Sequence, residues 1–390
     1  MLVVHLSLTP LVGAPGSICR ALNTVPGVQA RWAVLDTQGG AYDKMAFEMD
    51  LQWALHREEI LDLVGRCDLL HLHNFIDLDC QAFAPIDFRA LWARGLPMVR
   101  HFHSNPELVA RAMGQTVQQV LGCPIPKLVI GQYPERYYPD AQPVPNMVFV
   151  PPREPVPTDA PLRIGYAPSR FTPARSSRWD TKGYPETVKL LARLGRSARQ
   201  QGLAVEFDLI EQVGHTECLR RKTRCDLFID DLVTGSYHLN TLEALQSGLA
   251  CATFLDRRTL EALAALTGQT DFPAINVGME NAHDVLLALC RDATLVREIG
   301  LHSRQWMERH WRPDWVAGCF LAAYDQVTRA PGQAFPARFD TRLRAQQWLN
   351  VGLHDELWRS RQAGWPSETS AALLKIRAGI GRTVRRVLGR

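Results

Sequence analysis

The feature that most constrains this 390-residue chain is an alternation of strand-like and helix-like runs that is broken once by prolines. Apolar runs at Leu2 to Leu8, Gln29 to Leu35, Leu69 to Leu72, Met98 to Phe102, Val129 to Gly131 and Met147 to Val150 read as strands. Helical patterns near Ser17 to Asn23 and Glu58 to Gly65 lie between them. Such alternation predicts a parallel sheet covered by helices on both faces. Pro151-Pro152-Arg153-Glu154-Pro155-Val156-Pro157, with Pro161 close behind, excludes helix and central strand and predicts a stiff linker. The alternation then resumes: a strand at Leu162 to Tyr166, a helix at Tyr184 to Gln200, and strands at Ala204 to Ile210, Asp226 to Ile229 and Ala250 to Phe254. A helix from Leu242 and two more at Ala282 to Cys290 and Leu295 to Arg309 complete it. The expected organisation is an α/β unit at 1–150, a linker at 151–161, a second α/β unit at 162–330 and a helical extension at 331–390.

Composition narrows the partners. A net charge of +4 is too small to argue for nucleic acid, and 46% hydrophobic residues suit two ordinary cores. Nine cysteines scattered singly fit neither a disulfide framework nor a zinc site, and predict reduced cytosolic thiols. The apolar start has no basic region before it, so a strand is expected rather than a signal peptide. Nothing reaches the roughly 18 to 20 apolar residues of a membrane span. The expectation is a cytoplasmic protein, soluble or peripheral at the inner face of a membrane. In the extension, helices are expected at Thr341 to Ser360 and from Thr369 to Arg390. In the latter, Leu373, Ile376, Ile380, Val384 and Val387 share a face, flanked by Lys375, Arg377, Arg382, Arg385, Arg386 and Arg390. Two readings fit: a helix docked on the protein, or one held on an anionic membrane surface through 369–390.

Four segments offer chemistry. The loop Leu11 to Ser17, with Gly13 and Gly16, joins a strand to a helix whose amides from Ser17 on would receive a phosphate; read alone, it is an ordinary βα turn. His71-Leu72-His73-Asn74 and His101-Phe102-His103 end two strands, and residues two apart share a side. H-x-H pairs without ordered carboxylates are a weak metal signal, so no metal is expected. Ser169-Arg170 and Lys182-Gly183 place cations near a helix start, where they would neutralise a diphosphate; a solvated basic loop is the plain alternative. Finally, Cys225 to Asp231 reads as a strand ending in acids, followed by a helix with Asn240 as its cap, Glu243 in its first turn and Gly248 as its left-handed end. A capping-box acid is the structural alternative for Glu243, and Asp230-Asp231 are expected to be structural.

In this order, the segments resemble the GT-B glycosyltransferases, in particular the large retaining family of polysaccharide and glycolipid synthesis, over roughly residues 1–330. Asp68 to Asn74 resembles the family's D-V-V-H-x-H strand, and Pro97 to His103 its next strand, which ends in an active-site histidine matching His103. The resemblance implies two Rossmann-like domains facing a central cleft. It also implies a nucleotide-diphosphate sugar held mainly by the second domain, and a glycan or lipid-linked acceptor on the first, near His73, Asn74 and His101. Arg170 and Lys182 would hold the pyrophosphate as it leaves, Glu243 the ribose, and His103 the sugar or nucleophile. Gly13, Gly16, Ser169, Asn240 and Thr241 would line the donor. No metal or cofactor is implied. The insert between Arg170 and Lys182 is longer than the family's and adds Arg175 and Arg178. Gly235 stands where the first glutamate of the family's E-x7-E pair is expected. A nucleotide-sugar epimerase and a non-catalytic sugar- or lipid-binding subunit are the competing expectations.

Overall fold

A computed structural model describes residues 1–36, 48–131, 138, 140–154, 157, 160–168 and 182–336. Among the described residues the first unit holds seven parallel strands: β1 (Leu2–Ser7), β2 (Gln29–Val34), β3 (Leu51–Gln52), β4 (Leu69–His73), β5 (Met98–Phe102), β6 (Lys127–Ile130) and β7 (Ala141–Val144). Their spatial order is β3-β2-β1-β4-β5-β6-β7. Its helices are α1 (Ala14–Leu22), α2 (Trp53–Arg66), α3 (Phe88–Ala93), α4 (Pro106–Met113) and α5 (Val117–Leu121). The second unit carries β8 (Leu162–Tyr166), α6 (Tyr184–Gln200), β9 (Val205–Leu209), α7 (His215–Lys222), β10 (Leu227–Ile229), α8 (Leu239–Ser247) and β11 (Ala250–Thr253). It ends with α9 (Arg257–Thr267), β12 (Ile275–Asn276), α10 (Ala282–Cys290), α11 (Ala293–His310) and α12 (Pro313–Arg329). The second sheet, also parallel, runs β12-β11-β10-β8-β9.

Strand alternation divides β1 between two cores. Leu2, Val4 and Leu6 pack with Ile60, Leu63 and Val64 of α2. Val3 packs on the opposite face with Ile18 of α1 and with Phe320 and Tyr324 of α12. Helix α12, the last among the described residues, thus returns to cover the first sheet. Trp311, just before it, donates from Nε1 to the Asn146 carbonyl at 2.8 Å. The described linker residues dock on the second unit: the Arg153 and Glu154 amides donate to the Ser247 and Thr223 carbonyls, and Arg153 pairs with Asp226.

Two local expectations are corrected. Met147 to Val150 is not a strand; the last strand of the first sheet is Ala141–Val144, with Pro143 beside Val129. Proline argues against a central strand, but β7 lies at the sheet edge, where proline is tolerated because one side of the strand has no ladder to complete. The first helix begins at Ala14, three residues before Ser17, with Gly13 at its N-cap at φ 74° and Pro15 in its first turn. All nine cysteines are unpaired. Among the described residues no helix is long and apolar enough to cross a membrane. The expected helices at 341–360 and 369–390 lie outside the described residues.

Candidate functional site in the cleft between the two sheets

In an open parallel sheet a ligand binds outside the carboxyl ends of the strands, where successive connections leave in opposite directions. The first sheet has this point between β1 and β4, the second between β8 and β10. The two ends approach each other: Gly131, just past β6, lies so near Tyr237, in the loop after β10, that a Cβ on it would stand 2.6 Å from the Tyr237 hydroxyl. That contact explains a glycine at 131.

On the first side the register aligns His5 with His71 and His73 with His101. His5, His71, His73, His101 and His103 therefore line one face of the sheet. His5, His71, His73 and His101 are fully buried under α12, whereas His103 keeps partial exposure at the strand end. The buried rings cannot be charged cheaply. Burial first, then the field of its neighbours, pushes His71, His73 and His101 well below the usual imidazole range, and His5 down to about 3. Burial takes His103 to about 3 as well. Asn74, at φ 45°, accepts from the His103 amide at 2.7 Å and donates to Ser104 Oγ at 3.2 Å, tying the ends of β4 and β5 together. His73, Asn74 and His101 are all fully buried, so a ligand arriving from the cleft meets His103 before it meets them.

The cluster invites a metal reading, since His5/His71/His73 and His73/His101/His103 each bring ring nitrogens within 4.8 Å of one another. The ring geometry argues against it. In the first triple, His71 stacks on His5 at 4.2 Å and on His73 at 4.4 Å, so the lone pairs run side by side instead of converging as a tetrahedral site requires. In the second, His73 spends one nitrogen on His5 and the other on His103.

On the second side, Lys182 and Gly183 are both left-handed, at φ 52° and 71°, and deliver the chain into α6. A Cβ at Gly183 would meet Val233 at 2.5 Å, which fixes glycine there. Asp230, at the end of β10, accepts from Thr241 Oγ1 at 2.6 Å and from the His238 amide at 3.2 Å. Burial raises its pKa, but the charge and hydrogen bond of His238 and the charge of Lys182 more than offset this and hold Asp230 well below the carboxylate range. Asp231 accepts from the amides of Val233 and Thr234 and shapes the loop.

Asn240 is not the helix cap. The cap is His238, whose side chain makes no capping bond, and Asn240 and Thr241 lie in the first turn of α8. There their amides lie ahead of the first helical bond, which runs from the Leu242 amide to the His238 carbonyl. The Asn240 side chain instead donates to the Ala167 carbonyl at 3.0 Å, bridging α8 to the end of β8, and accepts from Lys222. Glu243 is no capping-box acid either. Its carboxylate, 6% exposed, is held by the fully buried Lys222 and by His215 Nε2 at 2.9 Å. Burial disfavours both charges, yet mutual attraction keeps the Lys222 ammonium above and the Glu243 carboxyl below their ordinary values. Gly248 closes α8 in the left-handed conformation, as expected.

Two further positions acquire a physical reason. Gly235 has φ 76°, and a Cβ there would stand 3.0 Å from Asp256, so a glutamate does not fit. The Asp256 carboxylate beside it is occupied by the Thr259 amide and by Arg258. Gly16 turns its bare α-carbon to Trp32, where a Cβ would meet the ring at 2.9 Å. Gly13 follows Leu11 and Val12, at φ 48° and 57°, in a left-handed run that begins α1. Ser169 and Arg170 lie outside the described residues. Sequence reasoning missed His5, Tyr324, Lys222 and His215. His5 had a signal, a lone imidazole amid apolar strand residues; the others are joined to the site only by folding.

No protein-family model matches this sequence, and no curated protein does. Solved structures do. Sucrose-phosphate synthase from Thermosynechococcus elongatus matches with a TM-score of 0.50 at 13% identity, over 85% of this chain and 100% of its own. HepE from Anabaena, solved in complex with UDP, matches at TM-score 0.47 and 12% identity over 83% of this chain and 99% of its own. An O-GlcNAc transferase variant from Thermobaculum terrenum matches at TM-score 0.47 and 17% identity, over 85% and 68% respectively. The fold is the two-domain GT-B fold of glycosyltransferases.

Proposed function

We propose that this chain is a glycosyltransferase that moves a sugar from a nucleotide-diphosphate sugar to an acceptor bound across the same cleft. The observation that carries it is the meeting of two switch points: His103 stands at the end of the first sheet, and Lys182, the first turn of α8 and Glu243 stand at the end of the second. On this reading the amides of Asn240 and Thr241, with Lys182 and Arg170, take the diphosphate, and Ser169 and the Gly13 loop border it. Glu243 takes the ribose. Its ionised state, kept by Lys222 and His215, suits it to accept from ribose hydroxyls. Positioning and charge neutralisation at the leaving diphosphate then supply the rate, with His103 hydrogen-bonded to the reacting sugar or acceptor.

The retaining, metal-independent course and a glycan or lipid-linked acceptor of surface polysaccharide synthesis follow from the family resemblance and are part of the proposal. So are a cytoplasmic location, which the unpaired cysteines support, and attachment to anionic membrane through 369–390. The test is donor turnover. Purified protein with each common nucleotide sugar is expected to release nucleoside diphosphate slowly, and faster with acceptor. Lys182→Ala should lower this by 10-fold or more, of the order expected for one lost charge contact. Absence of turnover with every donor, alongside nucleotide binding, would replace the enzyme by a binding subunit.

A further inference from the structure

Six groups form one continuous polar chain beneath α12: His101, His71, Tyr324, His5, His73 and His103. His101 Nδ1 lies 3.1 Å from His71 Nε2, and His71 Nδ1 lies 2.6 Å from the Tyr324 hydroxyl. That hydroxyl is 3.4 Å from His5 Nε2; His5 Nδ1 is 3.1 Å from His73 Nε2, and His73 Nδ1 is 2.9 Å from His103 Nε2. A neutral imidazole has one N–H and one lone pair, so a ring that accepts at one nitrogen donates at the other. The direction of any one link is therefore passed to both ends.

Tyr324 sets that direction. A separation of 2.6 Å is that of a hydroxyl donating its proton, and with that one proton given to His71 the Tyr324 oxygen can only accept from His5 Nε2, 3.4 Å away. His71 then carries its proton on Nε2 and gives it to His101 Nδ1. On the other side His5 is protonated at Nε2 and accepts at Nδ1 from His73 Nε2–H, and His73 Nδ1 accepts from His103 Nε2–H. The far end is the buried His101 Nε2, which has no polar partner among the described residues and sits in a ring 5.7 Å from Phe320. The near end is His103 Nδ1, a bare lone pair to which no described residue donates.

We propose that Tyr324 is a positioning residue that fixes the tautomer of His103, so that its Nδ1 meets the substrate as a hydrogen-bond acceptor. The part played by substrate rests on the glycosyltransferase reading; the tautomer does not. Nitrogen-15 correlation spectra of the imidazoles in the unliganded full chain test it directly. The wild type should show His103 protonated on Nε2. In Tyr324→Phe, the Nε2–H of His5 loses its only acceptor and becomes a buried orphan, so the His5–His73–His103 run should reverse and shift His103 at least about fivefold toward Nδ1–H. His5→Phe should reverse His103 in the same way while leaving His71 and His101 in their wild-type tautomers. It keeps the experiment informative if the Tyr324 variant fails to fold, which circular dichroism would reveal. Donor turnover, where present, should lose kcat in both variants with little change in donor KM. A wild-type His103 protonated on Nδ1, or a tautomer unmoved in a folded variant, overturns the proposal. Reversed tautomers without any glycosyl transfer would sustain it and count against the enzymatic reading alone.

Discussion

Replacing Lys222 by methionine removes the cation from a fully buried side chain and leaves the Glu243 carboxylate, 6% exposed, in place. Breaking a buried pair from one side costs about 3–5 kcal/mol, because the remaining charge is left uncompensated. Two features favour the low end. Methionine keeps the packing of the stem against Phe228, whose ring centre is 4.8 Å from Nζ, and His215 stays 2.9 Å from the carboxylate. The expected loss is about 3 kcal/mol, or roughly 6–12 °C in melting temperature for a unit of this size. The pH dependence carries a sign. Since the folded carboxyl of Glu243 is depressed, its contribution is present above the unfolded value of about 4.3 and is lost as pH falls through the folded value. Lys222→Met shrinks that depression, so less stability remains for acid to remove. Urea unfolding at pH 7 and pH 4 for Lys222→Met, Glu243→Gln and the double variant gives the answer. The double variant should recover most of the loss. A cost below about 1 kcal/mol, or additive single effects, would refute the account of Glu243 as a carboxylate held ionised by Lys222.

Three other outcomes are expected. Gly235→Glu, which restores the family's pair on paper, should cost about 1–3 kcal/mol in a melting assay because of its left-handed backbone and the approach of Asp256, and should not raise turnover. Gly131→Ala should lose about 1–3 kcal/mol by pressing on the Tyr237 hydroxyl, and Tyr237→Phe in the same chain should regain much of it. The buried histidines should make stability acid-labile in an unusual window. With the fully buried His5 lowered to about 3, its contribution is present above the unfolded value of about 6.5 and is lost as pH falls from there toward 3, at up to about 1.4 kcal/mol per unit. Urea midpoints from pH 7 to pH 4 measure it, and a flat profile above pH 5 would count against neutral buried rings.

The architecture was legible because periodicity is local. The strands Met98–Phe102 and Leu162–Tyr166 and the helices Tyr184–Gln200 and Ala282–Cys290 follow from apolar spacing and punctuation within each segment. The strand at Ala141–Val144 was not legible because the tolerance of Pro143 depends on its strand being an edge, which only sheet order reveals. Asn240 misled because a good capping residue set inside the first turn finds other partners, here Lys222 and the Ala167 carbonyl. The pairing of His71 with Tyr324, 253 residues apart, has no sequence signal at all, since it depends on α12 returning to the first sheet.

The central claim, a nucleotide-diphosphate sugar between the two switch points, is tested most directly by thermal shift against nucleoside diphosphates and their sugars. One nucleotide series should stabilise the protein by about 2.7 kcal/mol at 100 times its Kd, and Lys182→Ala should weaken that response. No shift with any nucleoside diphosphate or nucleotide sugar at millimolar concentration would contradict it.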